Sequence, residues 1–200
     1  MSHLSIVIQA GGNSLRMGSN KSLKPFLGIP LIQRVFKRVE SLSEDIFIVT
    51  NTPGEFAFLN LRMVSDELPG RGVISGLYTA MIQSNQEFVG VIACDMPFVN
   101  ADLILAEYEI LVETNADVAI PRTRTGYEPL HAVYRRKNCM TAIHEAIQND
   151  QRRLISWLPS VQVVEFDEQM IEKFDPKHLA FINTNTQEEF SKAEQIALEE

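Results

Sequence analysis

Residues 6–21 read I-V-I-Q-A-G-G-N-S-L-R-M-G-S-N-K. The apolar run that opens this stretch stops at Ala10 and does not alternate, the pattern of a strand covered on both faces. A glycine pair, Gly11-Gly12, follows at once, and a polar loop then carries Arg16, Gly18 and Lys21. Adjacent glycines lack Cβ, so their N–H groups can approach a ligand closely and form an anion-binding nest. With Arg16 and Lys21 added, the loop suits a polyphosphate. A tight turn with two solvated cations is the plain alternative. Two familiar phosphate loops are excluded. The Walker pattern needs a glycine directly before Lys-Ser, and here Asn20 precedes Lys21-Ser22; the dinucleotide pattern G-x-G-x-x-G fails because the glycines fall at 11, 12 and 18.

Two hundred residues are expected to form one domain with a sizeable core. A net charge of −8 argues against a general nucleic-acid surface or an anionic-membrane surface, while allowing a local basic pocket. Cys94 and Cys139 show no metal-ligand spacing, and a reduced, cytoplasmic chain is expected. The first apolar run is too short for a signal peptide and has no basic residues before it. No stretch reaches membrane-spanning length.

Outward from the loop, strands and helices alternate, which predicts an α/β fold: a three-layer, doubly wound, mostly parallel sheet. Lys24 to Gly28 reads as extended, and a helix buries Leu31, Ile32, Val35, Phe36, Val39 and Leu42. Strands are expected at 46–50 and 61–64, with a weak helix over 55–60 between them. Residues 65–76, S-D-E-L-P-G-R-G-V-I-S-G, put Asp66 beyond a strand and ahead of a glycine-rich turn and helix. In open α/β sheets ligands collect outside the carboxyl ends of strands. Taken alone, Asp66 reads as a solvated loop acid, and Gly70, Gly72 and Gly76 as turn and packing residues.

Residues 88–94 form the most continuous apolar strand, and it ends at Asp95 in C-D-M-P-F. A lone aspartate there caps a turn in many proteins. Beside a phosphate loop it suits a divalent metal, since Mg²⁺ takes one or two carboxylates plus phosphate oxygens and water. Asn100 is expected to cap the next helix. Strands follow at 117–120 and over Glu128 to Tyr134, where His131 reads as a hydrogen-bonded structural histidine. After a helix carrying Cys139, Ile143 and Ile147, a short helix is expected from Asp150 through Leu158. Within it either one of Arg152 and Arg153 faces an anionic substrate or both face solvent. Strands are expected at 161–166 and 181–182. Thr186 and Glu189 form a T-x-x-E capping box for the last helix. Asn183 and Asn185 just before it suit either a polar heterocycle or the turn itself.

Four segments together carry a family resemblance. A-G-G-N-S-L-R-M-G-S-N-K resembles the A-G-G-x-S-x-R-M-G-x-x-K signature of the molybdenum cofactor guanylyltransferases, within the nucleotidyltransferase group that also holds molybdopterin and methylerythritol phosphate cytidylyltransferases. D-E-L-P-G-R-G-V-I-S-G looks like D-x-x-x-x-G-x-G-P-L-A-G, and C-D-M-P-F like the C-D-x-P metal motif. E-P-L-H-A-V-Y, Q-R-R and F-I-N-T-N-T are similar to the family's C-terminal features, so the resemblance spans nearly the whole chain in order.

The resemblance implies transfer of GMP from GTP to the phosphate of molybdopterin, with release of pyrophosphate. It implies Mg²⁺, with Mn²⁺ as a substitute, held by Asp95. Gln9, Ala10, Gly11, Gly12, Asp66 and Gly76 would line the nucleotide, Arg16 and Lys21 would bind its phosphates, and Arg152, Arg153, Asn183 and Asn185 would meet the pterin. Implied partners are these two small molecules and, transiently, proteins of molybdenum cofactor synthesis and molybdoenzymes. The chain departs from the family at Gln9, where an apolar residue is common, at Asn13, where a basic one is frequent, and at Val73, where proline is usual. Such departures bear on base choice more than on reaction type. The alternatives are a cytidylyltransferase, a guanylyltransferase with another phosphorylated acceptor, and a non-catalytic protein that binds nucleotide or delivers cofactor; retention of Lys21 and Asp95 speaks against the last.

Overall fold

The computed structural model describes residues 3–11 and 20–199. Among the described residues, ten strands and six α-helices follow in chain order: β1 (Leu4–Gln9), β2 (Pro25–Phe26), β3 (Ile29–Pro30), α1 (Leu31–Val39), β4 (Asp45–Val49), β5 (Arg62–Val64), α2 (Val73–Gln83), β6 (Phe88–Ala93), α3 (Ala101–Thr114), β7 (Val118–Thr123), β8 (Gly126–Tyr127), β9 (His131–Arg135), α4 (Arg136–Gln148), β10 (Val163–Phe166), α5 (Glu168–Glu172) and α6 (Gln187–Leu198).

The sheet runs β10-β7-β9-β6-β1-β4-β5, with β8 paired to β7, while β2 and β3 form a separate small hairpin. β1 lies in parallel between β4 and β6, so its carboxyl end opens at the middle of the sheet. Burial on both faces explains its continuous apolar run: Ile6 and Ile8 pack with α1 and α3 on one side, and Val7 packs with α2 and α4 on the other. The result is the expected three-layer arrangement. β9 runs antiparallel to both neighbours, β6 and β7, which accounts for "mostly" parallel.

A third, smaller core joins Phe26, Leu31, Phe98, Phe190 and Ala193. Phe26 meets Phe98 edge-on at 6.3 Å and Phe190 edge-on at 5.4 Å, geometries that aromatic rings favour. These rings come from the segments that follow Lys21, Asp95 and Asn185. One apolar cluster therefore ties together three loops distant in sequence.

Several local expectations are corrected. Residues 181–182 form no strand; Ile182 N–H closes a turn onto Leu179 O, because the segment bends toward the Asp95 loop instead of joining a sheet edge. The helix expected from Asp150 is a series of turns ending in a 3-10 turn at Leu158–Ser160, since Asp150 adopts a left-handed φ of 54° that ends α4. Residues 53–59 are a 3-10 helix. The caps at Asn100 and at Thr186/Glu189 are formed as expected.

Candidate active site

At the open end of β1, the Gln9 carbonyl accepts from Cys94 N–H at 3.1 Å and Ala10 N–H donates to Val49 O at 3.0 Å, so the start of the glycine loop is stitched to both neighbouring strands. The Gln9 side chain is buried against Gly76 of α2; a Cβ at Gly76 would lie 3.1 Å from Gln9 Oε1. Gly76 is thus the residue that makes room for Gln9. Among the described residues a Cβ on Gly11 would meet nothing within 4 Å. Gly12 and Arg16 lie outside the described residues.

Beyond the glycine loop, Lys21 opens a 3-10 turn over residues 21–23. Asn20 Oδ1 accepts from both Ser22 N–H (3.2 Å) and Ser22 Oγ (2.6 Å), and Asn20 Nδ2 donates to Glu55 Oε2 at 2.7 Å. These bonds fix the backbone from which the Lys21 side chain projects.

Asp66 follows β5. Its N–H donates to Asn51 Oδ1 at 3.0 Å, and its Oδ1 accepts from Leu68 N–H at 3.2 Å, from Thr79 Oγ1 at 3.3 Å and from the Ser75 hydroxyl. Gly70 and Gly72 both take left-handed φ values, 88° and 79°, which lets the chain reverse into α2 and bring Ser75 and Thr79 back over Asp66. Val73, where the resemblance leads one to expect proline, is the first residue of α2 and is 45% exposed.

Asp95 follows β6, and its loop is clasped from four directions. The Asp95 carbonyl accepts from Thr184 N–H and Thr184 Oγ1, both at 3.1 Å. Arg34 Nε donates to Pro97 O and Arg38 Nε to Val99 O, each at 2.9 Å, and Asn100 N–H donates to His131 Nε2 at 3.3 Å. Burial pushes the Asp95 carboxyl above its usual range and nearby Glu189 adds to the rise, while its own N–H and the charge of Lys21 oppose it. The neighbouring Cys94 thiol is pushed up to about 12, chiefly by burial and then by Asp95, so it is no thiolate nucleophile.

A half-buried carboxylate under the charge of a lysine fits a divalent cation, whose own charge would offset the cost of keeping it ionised. Among the described residues no cluster of three or more His, Cys, Asp or Glu could hold a metal ion, so the remaining ligands would be phosphate oxygens and water.

The residues suggested for the acceptor fall in two places. Asn183 Nδ2 donates to Phe181 O at 3.2 Å within its own turn, beside the Asp95 loop, and Asn185 is exposed. Arg152 and Arg153 are exposed on the α4 side, where Arg152 lies 3.6 Å from Asp150, itself paired to Arg71 at 2.6 Å. No recorded contact among the described residues joins the two groups. Sequence reasoning missed Thr184, Asn51, Ser75 and Thr79. The hydroxyls at 75 and 79 stand four apart, hence on one helix face, and that spacing is a usable signal. Thr184 left none, since its partner is a carbonyl 89 positions away.

Residues 6–163 match the family model of the MobA-like NTP transferase domain. The chain belongs to that family. This MobA-like protein is a nucleotidyltransferase, and it resembles relatives along nearly its whole length. It is 32% identical to a probable molybdenum cofactor guanylyltransferase of Peptoclostridium acidaminophilum, covering 98% of this chain and 90% of the relative. Identity is also 32% to a molybdenum cofactor guanylyltransferase of Desulfosudis oleivorans, over 94% and 93% of the two chains. Among solved structures, molybdopterin-guanine dinucleotide biosynthesis protein A from Archaeoglobus fulgidus superposes with a TM-score of 0.85 at 24% identity, covering 98% of this MobA-like chain and all of that one, a likeness of fold.

Proposed function

We propose that this protein is a molybdenum cofactor guanylyltransferase, moving GMP from GTP onto the terminal phosphate of molybdopterin and releasing pyrophosphate. What supports the reading most is that relatives from two organisms, each matched over nine-tenths or more of both chains, bear that name. The whole chain acts as one nucleotidyltransferase unit in this reading, and the cytoplasm is its expected place.

In the reaction an acceptor phosphate oxygen attacks the α-phosphorus in line, and pyrophosphate departs on the opposite side. The acceptor phosphate is already ionised near neutral pH, so the step calls for positioning and charge neutralisation and needs no covalent nucleophile. Gln9, Ala10, Gly11 and Gly12 form the floor under the nucleotide, with Gly76 making the space. Asp66, oriented by Ser75 and Thr79, presents its carboxylate to the base or ribose. Lys21 and Arg16 carry positive charge to the phosphates. Asp95 would hold Mg²⁺, or Mn²⁺ in its stead, which supplies charge neutralisation on the α-phosphate and leaving pyrophosphate when bound. Asn183 and Asn185 stand next to that centre on the acceptor side. Arg152 and Arg153, across the site, would meet only an extended part of the acceptor.

The test is incubation with Mg²⁺, molybdopterin and each nucleoside triphosphate in turn, following pyrophosphate and the mass of the product. GTP alone is expected to yield the dinucleotide. A product formed from CTP in preference to GTP would overturn the choice of base.

A further inference from the structure

A cavity of about 400 Å³ opens beside the Asp95 loop, bounded by Thr123, Arg124, Glu128, His178, Phe181 and Ile182. Its volume is in the range of small-molecule sites, roughly 300–1,000 Å³. Both of its walls are bonded to the end of β6. On one side Leu130 O accepts from Ala93 N–H at 2.9 Å; on the other the Asp95 carbonyl takes the two Thr184 bonds. Glu128 and Asp95 are each two residues from the Leu130–Ala93 bond, so each lies within about 7 Å of it along the chain. Asp95 and Glu128 therefore sit at the same end of the paired strands β6 and β9.

The cavity is apolar on one wall and carries a fixed carboxylate on the other. Phe181 supplies an aromatic face and is held edge-on to the buried His131 ring at 5.3 Å. Glu128 is locked by its backbone, its N–H donating to Pro121 O and its carbonyl accepting from His131 N–H, both at 3.0 Å. Thr123 Oγ1 donates to Glu128 Oε1 at 3.2 Å, and among the described residues Oε2 has no recorded hydrogen bond. Arg124 pairs with Glu168 at 3.0 Å and is 88% exposed, which places that pair at the rim and leaves Glu128 as the carboxylate inside. A carboxylate beside an aromatic wall selects a flat heterocycle that presents adjacent N–H donors, because each donor then gains a charge-assisted bond.

We propose that Glu128 is the specificity-determining residue of the acceptor subsite, accepting the 2-amino and ring N–H donors of a 2-amino-4-oxopyrimidine edge while Phe181 packs against the ring. This rests on the pterin reading of the acceptor given above and adds the group that would read it. Guanine bears the same type of edge, so the subsite's assignment to acceptor and not to nucleotide is part of what must be tested.

The experiment uses the full chain with Glu128→Gln and Thr123→Val. Binding of 6-hydroxymethylpterin, and of the corresponding lumazine whose 2-oxo group replaces the 2-amino group, is followed by fluorescence. Steady-state pyrophosphate release is measured with molybdopterin and GTP varied separately. The wild type is expected to bind the pterin about 10-fold or more tightly than the lumazine, and Glu128→Gln to lose that preference. The variant's KM for molybdopterin is expected to rise about 10- to 100-fold with the KM for GTP unmoved, and Thr123→Val to shift the acceptor KM by a few fold. Equal pterin and lumazine binding by the wild type, an unchanged acceptor KM in Glu128→Gln, or a raised GTP KM would each overturn the proposal. If the wild type releases no pyrophosphate with molybdopterin, the guanylyltransferase reading fails. The pterin-against-lumazine comparison then still decides the role of Glu128.

Discussion

Asp66 and Asp95 both stand just past the carboxyl end of a parallel strand, yet the protein treats them in opposite ways. At Asp66 one carboxylate oxygen is held by the chain itself: the Ser75 and Thr79 hydroxyls and Leu68 N–H all converge on Oδ1. At Asp95 it is the backbone that is satisfied, with Thr184 on its carbonyl and Arg34 and Arg38 on the carbonyls just beyond. The Asp95 carboxyl is left in a partly desolvated place, with Lys21 as its opposing charge. A carboxylate anchored through one oxygen by its own chain has its direction set, whereas one on a braced loop with its charge only partly offset would suit an incoming cation.

Replacing each residue's support tests that contrast. Asp95→Asn keeps the shape and removes the charge; pyrophosphate release is expected to fall about 10³-fold while the melting temperature holds, and unchanged turnover would refute the metal role. Lys21→Ala should lower kcat/KM for the nucleotide about 10²-fold. A near-normal rate would return Lys21 to the role of a solvated cation. On the other side Ser75→Ala leaves Asp66 with two donors. It is expected to cost about 1 kcal/mol of stability, read by urea unfolding, and to raise the nucleotide KM by a few fold at constant kcat.

Glu107 provides the control for burial without a ligand-facing role. It is fully buried on α3 at 3.4 Å from His131 Nδ1, and burial pushes its carboxyl up to about 7, with His131 opposing. A folded-state value above the ordinary 4.5 means that the folded protein holds this proton more tightly than the unfolded chain. Stability from this group is therefore present below about pH 4.5 and is lost as pH rises through about 7. Melting curves from pH 5 to 8 should show that decline, and Glu107→Gln should make it shallower, leaving the contributions that Asp95 and Glu128 make in the same direction. An identical slope in the variant would show that Glu107 is not its source.

Much of the scaffold was legible because its signals are local. The unalternating run at residues 6–8 demands cover on both faces, and helical spacing from Leu31 to Val39 announces one buried face. β9 shows why direction is harder: Glu128 to Tyr134 has a strand's composition, but antiparallel placement between β6 and β7 is decided by its partners. Phe181 and Ile182 misled for a related reason. They are apolar because they line a cavity, and their backbone turns back on Leu179. In the site, the strand-end positions of Asp66 and Asp95 could be read from punctuation alone. The supports of the Asp95 loop could not, since Thr184, Arg34 and Arg38 act on backbone carbonyls far away in sequence.

The ring trio of Phe26, Phe98 and Phe190 carries a consequence for how the protein is made. Chains emerge from the ribosome N-terminus first, and the strands from β1 to β10 are all available before residue 190 appears. Until residues 184–190 arrive, the Asp95 carbonyl lacks its two Thr184 bonds and the Phe26–Phe98 pair lacks the Phe190 ring. Competence for chemistry is thus a late event in synthesis. A chain stopped after residue 182 is expected to keep strand-rich circular dichroism while losing pyrophosphate release, so a half-made enzyme would leave the nucleotide pool untouched.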